Sequence, residues 1–200
     1  MRALLPVLAL AIGATVSAQG SKPGAKPAAP AAAAPAAQPP APKAGPTMRM
    51  DTAKGPIVIE LYPSAAPKSV DHIVKLVKRN FYNNQAVHRV VPGQLVQFGD
   101  PQTRNMMLVD WWGRGPNSGS GQSIGVAEIS KTLKHRRGSV SMAHPGAPAA
   151  ADSQMFIAFR ASPKWDGQYT IIGQVTSGIE VAEKLARGDK IKAITISGAP

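Results

Sequence analysis

The sequence predicts a mainly β protein, a closed eight-stranded antiparallel β-barrel with two capping α-helices. Three observations point there. Short apolar runs bounded by Gly, Pro, Asn or Asp recur after residue 46, the punctuation expected of strands. Two stretches switch to helical spacing. Eight strands without covering helices also need closure to remove their exposed edges. In chain order, Met48–Thr52 and Ile57–Tyr62 flank Ala53-Lys54-Gly55-Pro56 and read as a hairpin. Pro67 suits a first helical turn, and Val70, Ile73, Val74 and Val77 share one stripe behind it. Strands follow at Ala86–Val91, Gln94–Phe98, Ser139–Ala143, Met155–Phe159 and Tyr169–Val175. A second stripe, Ile179, Val181, Ala182 and Leu185, leads to Gly188 and the last strand, Ile191–Ile196.

The fold occupies residues 47–200, and two different segments precede it. Arg2 comes before an apolar run, Leu4 to Val16, closed by Val16-Ser17-Ala18. That is the pattern of a signal peptide over residues 1–18, cleaved after Ala18; the protein is expected to be exported, to a periplasm or the exterior. Residues 19–46 hold eight prolines and eleven alanines with no aromatic or β-branched residue, a composition that cannot offset its ordering entropy. It reads as a disordered tether reaching about 85 Å if extended as polyproline. No later run is long enough to span a bilayer, so the mature chain is expected to lack a transmembrane segment. With no Cys among 200 residues, disulfide scaffolds, thiolate catalysis, iron–sulfur clusters and Cys-based zinc sites are excluded. From residue 47 on, 19 basic side chains face 11 acidic ones, a charge of +8, which favours acidic surfaces without choosing among them.

Several motifs have plain readings. Gly121-Gln122-Ser123-Ile124-Gly125 matches a hydrolase nucleophile elbow, but the residues before it make a poor strand, and Glu128 is the only acid between Ser123 and a later His. The histidines at 72, 88, 135 and 144 show no zinc spacing. Lys134-His135-Arg136-Arg137 reads as a solvated turn, since no aromatic residues interleave the charges as nucleic acid would require. The irregular stretch Pro101–Gly125 exceeds ordinary connections and is a candidate functional loop. Its Met106, Met107, Leu108, Trp111 and Trp112 read as a satellite core, with a client-binding patch as the alternative. Arg89, in the middle of an apolar strand, demands either a buried ion partner or a functional role.

The surroundings of Arg89 carry a resemblance. Phe81-Tyr82 through His88-Arg89-Val90-Val91-Pro92-Gly93 to Gln97-Phe98-Gly99-Asp100 resembles the central motif of the cyclophilin family of peptidyl-prolyl isomerases, F-Y-x-x-x-x-F-H-R-V-I-P-G-F-x-x-Q-G-G-D-P. Gly138–His144 with Asp152–Ile157 is similar to its G-x-L-S-M-A-N and G-S-Q-F-F-I, and Trp165–Val175 to its L-D-G-x-x-x-x-F-G-x-V. The resemblance covers Met48 to Ile196 in the family's order. It implies an X–Pro isomerase without cofactor, assisting the folding of exported proteins. Arg89 and Gln97 are then the catalytic pair. Gln94, Leu95, Met142, Ala143, His144, Gln154, Phe156, Trp165 and Tyr169 line the substrate, with Phe156 as floor of the proline pocket; for Met142 a core role is the simpler reading. The implied partners are unfolded or extended proline-containing polypeptides, bound by a monomer. Three departures stand out: Gln94 replaces the usual pocket-closing Phe, Phe98 a Gly, and Tyr169 a frequent His. Trp165 also takes the place of a pocket-lining Leu. Without the Phe wall, cyclosporin-like ligands should bind with reduced affinity, and the alternative is a peptide-binding chaperone or scaffold with weak or no isomerase activity.

Overall fold

The strands over Thr47–Thr52 and Gly55–Leu61 alternate in burial as a one-sided sheet requires, whereas those over Ser139–Met142 and Met155–Ala158 are buried along their whole length. The computed structural model describes residues 45–198; the leader, and the tether up to residue 44, lie outside them. The strands are β1 (Thr47–Thr52), β2 (Gly55–Leu61), β3 (Arg89–Val91), β4 (Leu95–Phe98), β5 (Ser139–Met142), β6 (Met155–Ala158), β7 (Ile171–Ser177) and β8 (Ile191–Ser197). They form one sheet in the order β3-β4-β6-β5-β7-β2-β1-β8, and every pairing is antiparallel. On the inner face Met48, Met50, Ile57, Ile59, Leu61, Val96, Phe98, Val140 and Ile157 are fully buried. Helices α1 (Pro67–Lys78) and α2 (Ile179–Glu183) add Val70, Ile73, Val77 and Ala182 to the same core.

The barrel is not closed, which corrects the expectation. β3 and β8 are the two ends of the sheet and share no ladder, leaving a curled half-barrel. The expected strand over Ala86–Val91 begins only at Arg89, because the Ala86 N–H donates to the Thr103 hydroxyl (2.8 Å). Ala86 therefore makes a single bridge to Lys190. Around it Val87 donates to Asp189 O (3.0 Å) and Ile191 to Gln85 O (2.8 Å), so the edges cross at one point without running side by side.

Two loop devices position the rest. Ala66, before α1, has no capping side chain. The Glu128 carboxylate, from the loop before β5, accepts the Lys68 and Ser69 N–H groups at 2.9 and 2.8 Å and the Ser69 hydroxyl at 2.7 Å, satisfying orphan donors of the first turn. In the long loop, Pro101–Arg104 and Met106–Trp111 form consecutive 3₁₀ turns. Trp112 is buried, while Met106, Met107 and Trp111 are exposed, so the satellite core forms only around Trp112.

Candidate active site

Strand parity decides which side chains meet. Arg89 lies opposite Gln97 across β3 and β4, Gln97 opposite Phe156 across β4 and β6, and Phe156 opposite Ser141 across β5 and β6. Directly opposed residues share a face, so Arg89, Leu95, Gln97, Ser141 and Phe156 stand together on the outer face. Met142 has the other parity. It pairs with Met155 and has no exposed surface, so it belongs to the core and is removed from the substrate-lining set.

The polar half of the site is a chain of amides ending on Arg89. The Arg89 Nη1 donates to Gln97 Oε1 (3.2 Å), Gln97 Nε2 to Gln154 Oε1 (2.9 Å), and Gln154 Nε2 to Ser118 O (2.8 Å). Among the described residues no carboxylate lies within ion-pair distance of Arg89. The guanidinium is exposed and retains most of its five donors. A cavity of about 480 Å³ runs on from this chain, lined by Gln97, Gln154, Ala143, His144 and the turn Gly113–Pro116.

The apolar half is an aromatic cup. Trp165 and Tyr169 stand edge-on to Phe156, at centroid distances of 5.3 and 5.2 Å and angles of 75° and 87°. His144 stacks on Tyr169 at 4.7 Å and hydrogen-bonds Gln168 O through Nε2 (3.0 Å). Leu95 is buried beside Ala158. Gln94 is half-buried at the start of β4, where its carbonyl accepts the Phe159 N–H (2.8 Å).

His135, expected in a solvated turn, is instead buried behind the cup. Its ring is parallel to Phe156 within 8° at 6.1 Å. Nδ1 lies 2.9 Å from Asp166 Oδ1, and Nε2 lies 3.0 Å from the Ser141 hydroxyl. Burial lowers its pKa against the opposing pull of Asp166, which keeps the ring neutral: Nδ1–H donates to the carboxylate and Nε2 accepts from Ser141. Sequence reasoning missed this residue because its partners are far along the chain; the aromatic residues flanking Asp166 were the available signal. His88 is also buried. Its ring lies against Gly113, and among the described residues no group hydrogen-bonds either ring nitrogen, the neighbouring Gln154 amide being committed to Gln97 and Ser118. Burial first, then the like charges of Arg89 and Arg187, push it down to about 4.

The hydrolase and metal readings find no support. Ser123 is exposed, and Glu128 is engaged at the α1 N-terminus. Among the described residues no cluster of His, Asp and Glu could hold a metal ion.

Residues 47–198 match the family model of cyclophilin-type peptidyl-prolyl cis-trans isomerases. The chain belongs to that family. It is 39% identical over 144 residues to a probable peptidyl-prolyl cis-trans isomerase of Brucella suis, covering 72% of this chain and 73% of that one. With the Helicobacter pylori peptidyl-prolyl cis-trans isomerase it shares 37% identity over 150 residues, 74% of this chain and 85% of the relative. A cyclophilin-type isomerase of Cryptosporidium parvum superposes with a TM-score of 0.65 at 28% identity, over 78% of this chain and 99% of that one. That protein's crystal structure was also determined in the presence of the dipeptide Ala-Pro. The cyclophilin fold accounts for the parity that brings Arg89, Gln97 and Phe156 to one face.

Proposed function

We propose that this cyclophilin accelerates X–Pro isomerisation by holding the twisted amide between Arg89 and the Phe156 cup. Rotation about the bond loses C–N resonance, a barrier of about 18–20 kcal/mol, and the uncatalysed step takes roughly tens to hundreds of seconds. A group that binds the twisted amide better than either planar form is therefore catalytic. Arg89 can do so with its free donors: one holds the prolyl carbonyl, and another approaches the prolyl nitrogen, whose lone pair localises as resonance breaks. The Gln97–Gln154–Ser118 chain fixes the direction of the guanidinium. Phe156, Trp165 and Tyr169 take the ring of the proline and exclude water, while Ala143, His144 and Gln154 hold the flanking peptide. No nucleophile, acid, base or cofactor is called for. The observation that carries this reading is Arg89 itself, a strand arginine with an amide partner, no carboxylate, and an aromatic cup on the same face.

The test is Arg89→Ala in a protease-coupled assay on an Ala-Pro tetrapeptide. A charged hydrogen bond is worth about 1.5–3 kcal/mol, so kcat/KM should fall by roughly one to two orders of magnitude. The fold should persist, because the side chain is exposed. A wild-type rate would remove Arg89 from the mechanism. Binding of Ala-Pro peptides without acceleration of cis/trans exchange in the parent chain would favour the chaperone or scaffold reading, for which Gln94 in place of a pocket-closing Phe is the supporting observation. On the same reading the protein acts as a monomer on unfolded polypeptides and binds cyclosporin-like ligands with reduced affinity. It serves exported proteins outside the cytoplasm, a location supported by Arg2, the apolar run Leu4–Val16 and the Val16-Ser17-Ala18 ending.

A further inference from the structure

Among the described residues the exposed large apolar side chains are Met106, Met107 and Trp111, at 61%, 88% and 57% exposure. All three lie within the six residues Met106–Trp111, two short 3₁₀ turns joined across a kink at Leu108. Scattered surface apolar residues need no explanation, but a cluster held out on one short segment does. The segment is firmly held. The buried carboxylate of Asp100 accepts the Gln102 and Gly113 N–H groups, and the Gln102 amide reaches the carbonyls of Trp111 and Arg114 at 3.2 and 3.0 Å. Buried Trp112 donates from Nε1 to Asn105 O (3.2 Å) beneath Arg187, whose Cζ is 5.4 Å from the ring. Arg187 in turn donates to Val109 O (2.6 Å). Side chains held outward by such a frame are presented to something.

What they meet follows from where the segment leads. A Cβ placed on Gly115 would sit 3.6 Å from the Trp111 ring, so the indole packs against the residue that, with Gly113, Arg114 and Pro116, forms one wall of the peptide cavity. The apolar patch begins where the cavity ends. The thioethers of Met106 and Met107 adapt to varied apolar partners.

We propose that Met106, Met107 and Trp111 form a docking site for the unfolded client chain, taking large apolar side chains of the same polypeptide whose X–Pro bond lies at Arg89. Continuity with the cavity favours this occupant over a bilayer or a second copy. The proposal rests on the active-site reading above, since that places the client's proline in the adjoining groove. A tetrapeptide spans at most about 14 Å fully extended; an unfolded protein has chain to continue past the cavity.

The test uses the full chain and two substrates: an Ala-Pro tetrapeptide, and a reduced, carboxymethylated protein whose refolding waits on one cis X–Pro bond. In the double variant Met106→Ser with Met107→Ser, KM for the refolding protein should rise about tenfold, with tetrapeptide kcat/KM and thermal stability unchanged. An unchanged KM for the protein, or an equal loss on both substrates, would overturn the proposal. So would binding to phosphatidylglycerol vesicles, or a dimer in sedimentation, that the double variant abolishes while leaving that KM as it was. If the double variant fails to fold, Met107→Lys alone carries the same readouts. A parent chain inert on the tetrapeptide would count against the active-site reading instead. Direct titration with the carboxymethylated protein would then decide the docking site, by the same tenfold difference in Kd or its absence.

Discussion

At the scale of single residues, the site divides into side chains whose chemistry is visible from one position and side chains whose role depends on a distant partner. Arg89 is of the first kind, because a charged residue in an apolar run stands out whatever surrounds it. Gln94 is also of this kind. It stands half-buried just before the strand that carries Leu95 and Gln97, at the position where the cyclophilin motif has a pocket-closing Phe. Replacing it with Phe adds apolar contact worth about 1 kcal/mol to a bound proline if a fraction of the ring is buried. Gln94→Phe should therefore raise kcat/KM on an Ala-Pro tetrapeptide about fivefold. No gain in that assay would mean that another group already closes the cup. His135 is of the second kind. Its neighbours in sequence, Lys134, Arg136 and Arg137, describe a solvated turn, but Asp166 and Ser141 draw the ring under Phe156. A substitution there acts on the site by releasing Phe156, without touching substrate.

At the scale of elements, α1 depends on a residue outside it. Its first turn lacks a local capping side chain and acidic residues, and Glu128 supplies both the acceptor and the negative charge from about sixty positions away. A lost cap costs about 1–2 kcal/mol, so Glu128→Ala should lower the melting temperature by roughly 3–6 °C, read by circular dichroism. An unchanged melting temperature would show that α1 is held by its apolar stripe alone. Elements with a local period were legible in the sequence: the hairpin and the first helix lie where alternation or helical spacing puts them, each of the eight strands overlaps its expected run, and the second helix stops at Glu183, short of Leu185. The fate of residues 86–88 was not, because the Ala86 N–H is taken by Thr103, a contact with no periodic trace. With that N–H engaged, Ala86 makes only a single bridge to Lys190, and β3 and β8 share no ladder. Met142 follows the same logic from the other side: parity along β5, available only once its register with β6 is fixed, sends it to the core. Of the site, Arg89, Gln97 and Phe156 were legible through the family motif, whereas the cap by Glu128 and the support from His135 arise from long-range pairings.

At the scale of the whole domain, the buried histidines make stability depend on pH in a window where the carboxylates are silent. Asp152 is lowered: burial would raise it, but the His72, Ser120 and Gly121 hydrogen bonds outweigh burial. Its contribution is present above the ordinary carboxylate range and is lost only as the pH falls below that range. His88 has the opposite sign. Its folded value of about 4 lies below the ordinary 6.5, so on acidification the unfolded chain takes up a proton that the folded chain refuses. Stability is then full above about pH 6.5 and declines as the pH falls towards 4. For His88 alone the loss between pH 7 and 4.5 comes to about 2–3 kcal/mol, a large part of a typical domain's stability. His135, lowered by burial, adds to the decline with the same sign. Protonating His88 would place a third positive charge beside Arg89 and Arg187, against the Gly113 turn that walls the cavity. Urea unfolding at pH 7, 6, 5 and 4.5 should therefore show the parent losing stability stepwise. His88→Gln, which keeps a polar side chain but cannot titrate, should show a clearly shallower slope. Equal slopes would mean that His88 is free to take its proton in the folded state. A shallower slope would tie the acid limit of the whole domain to the one imidazole packed between β3 and the loop that presents Trp111.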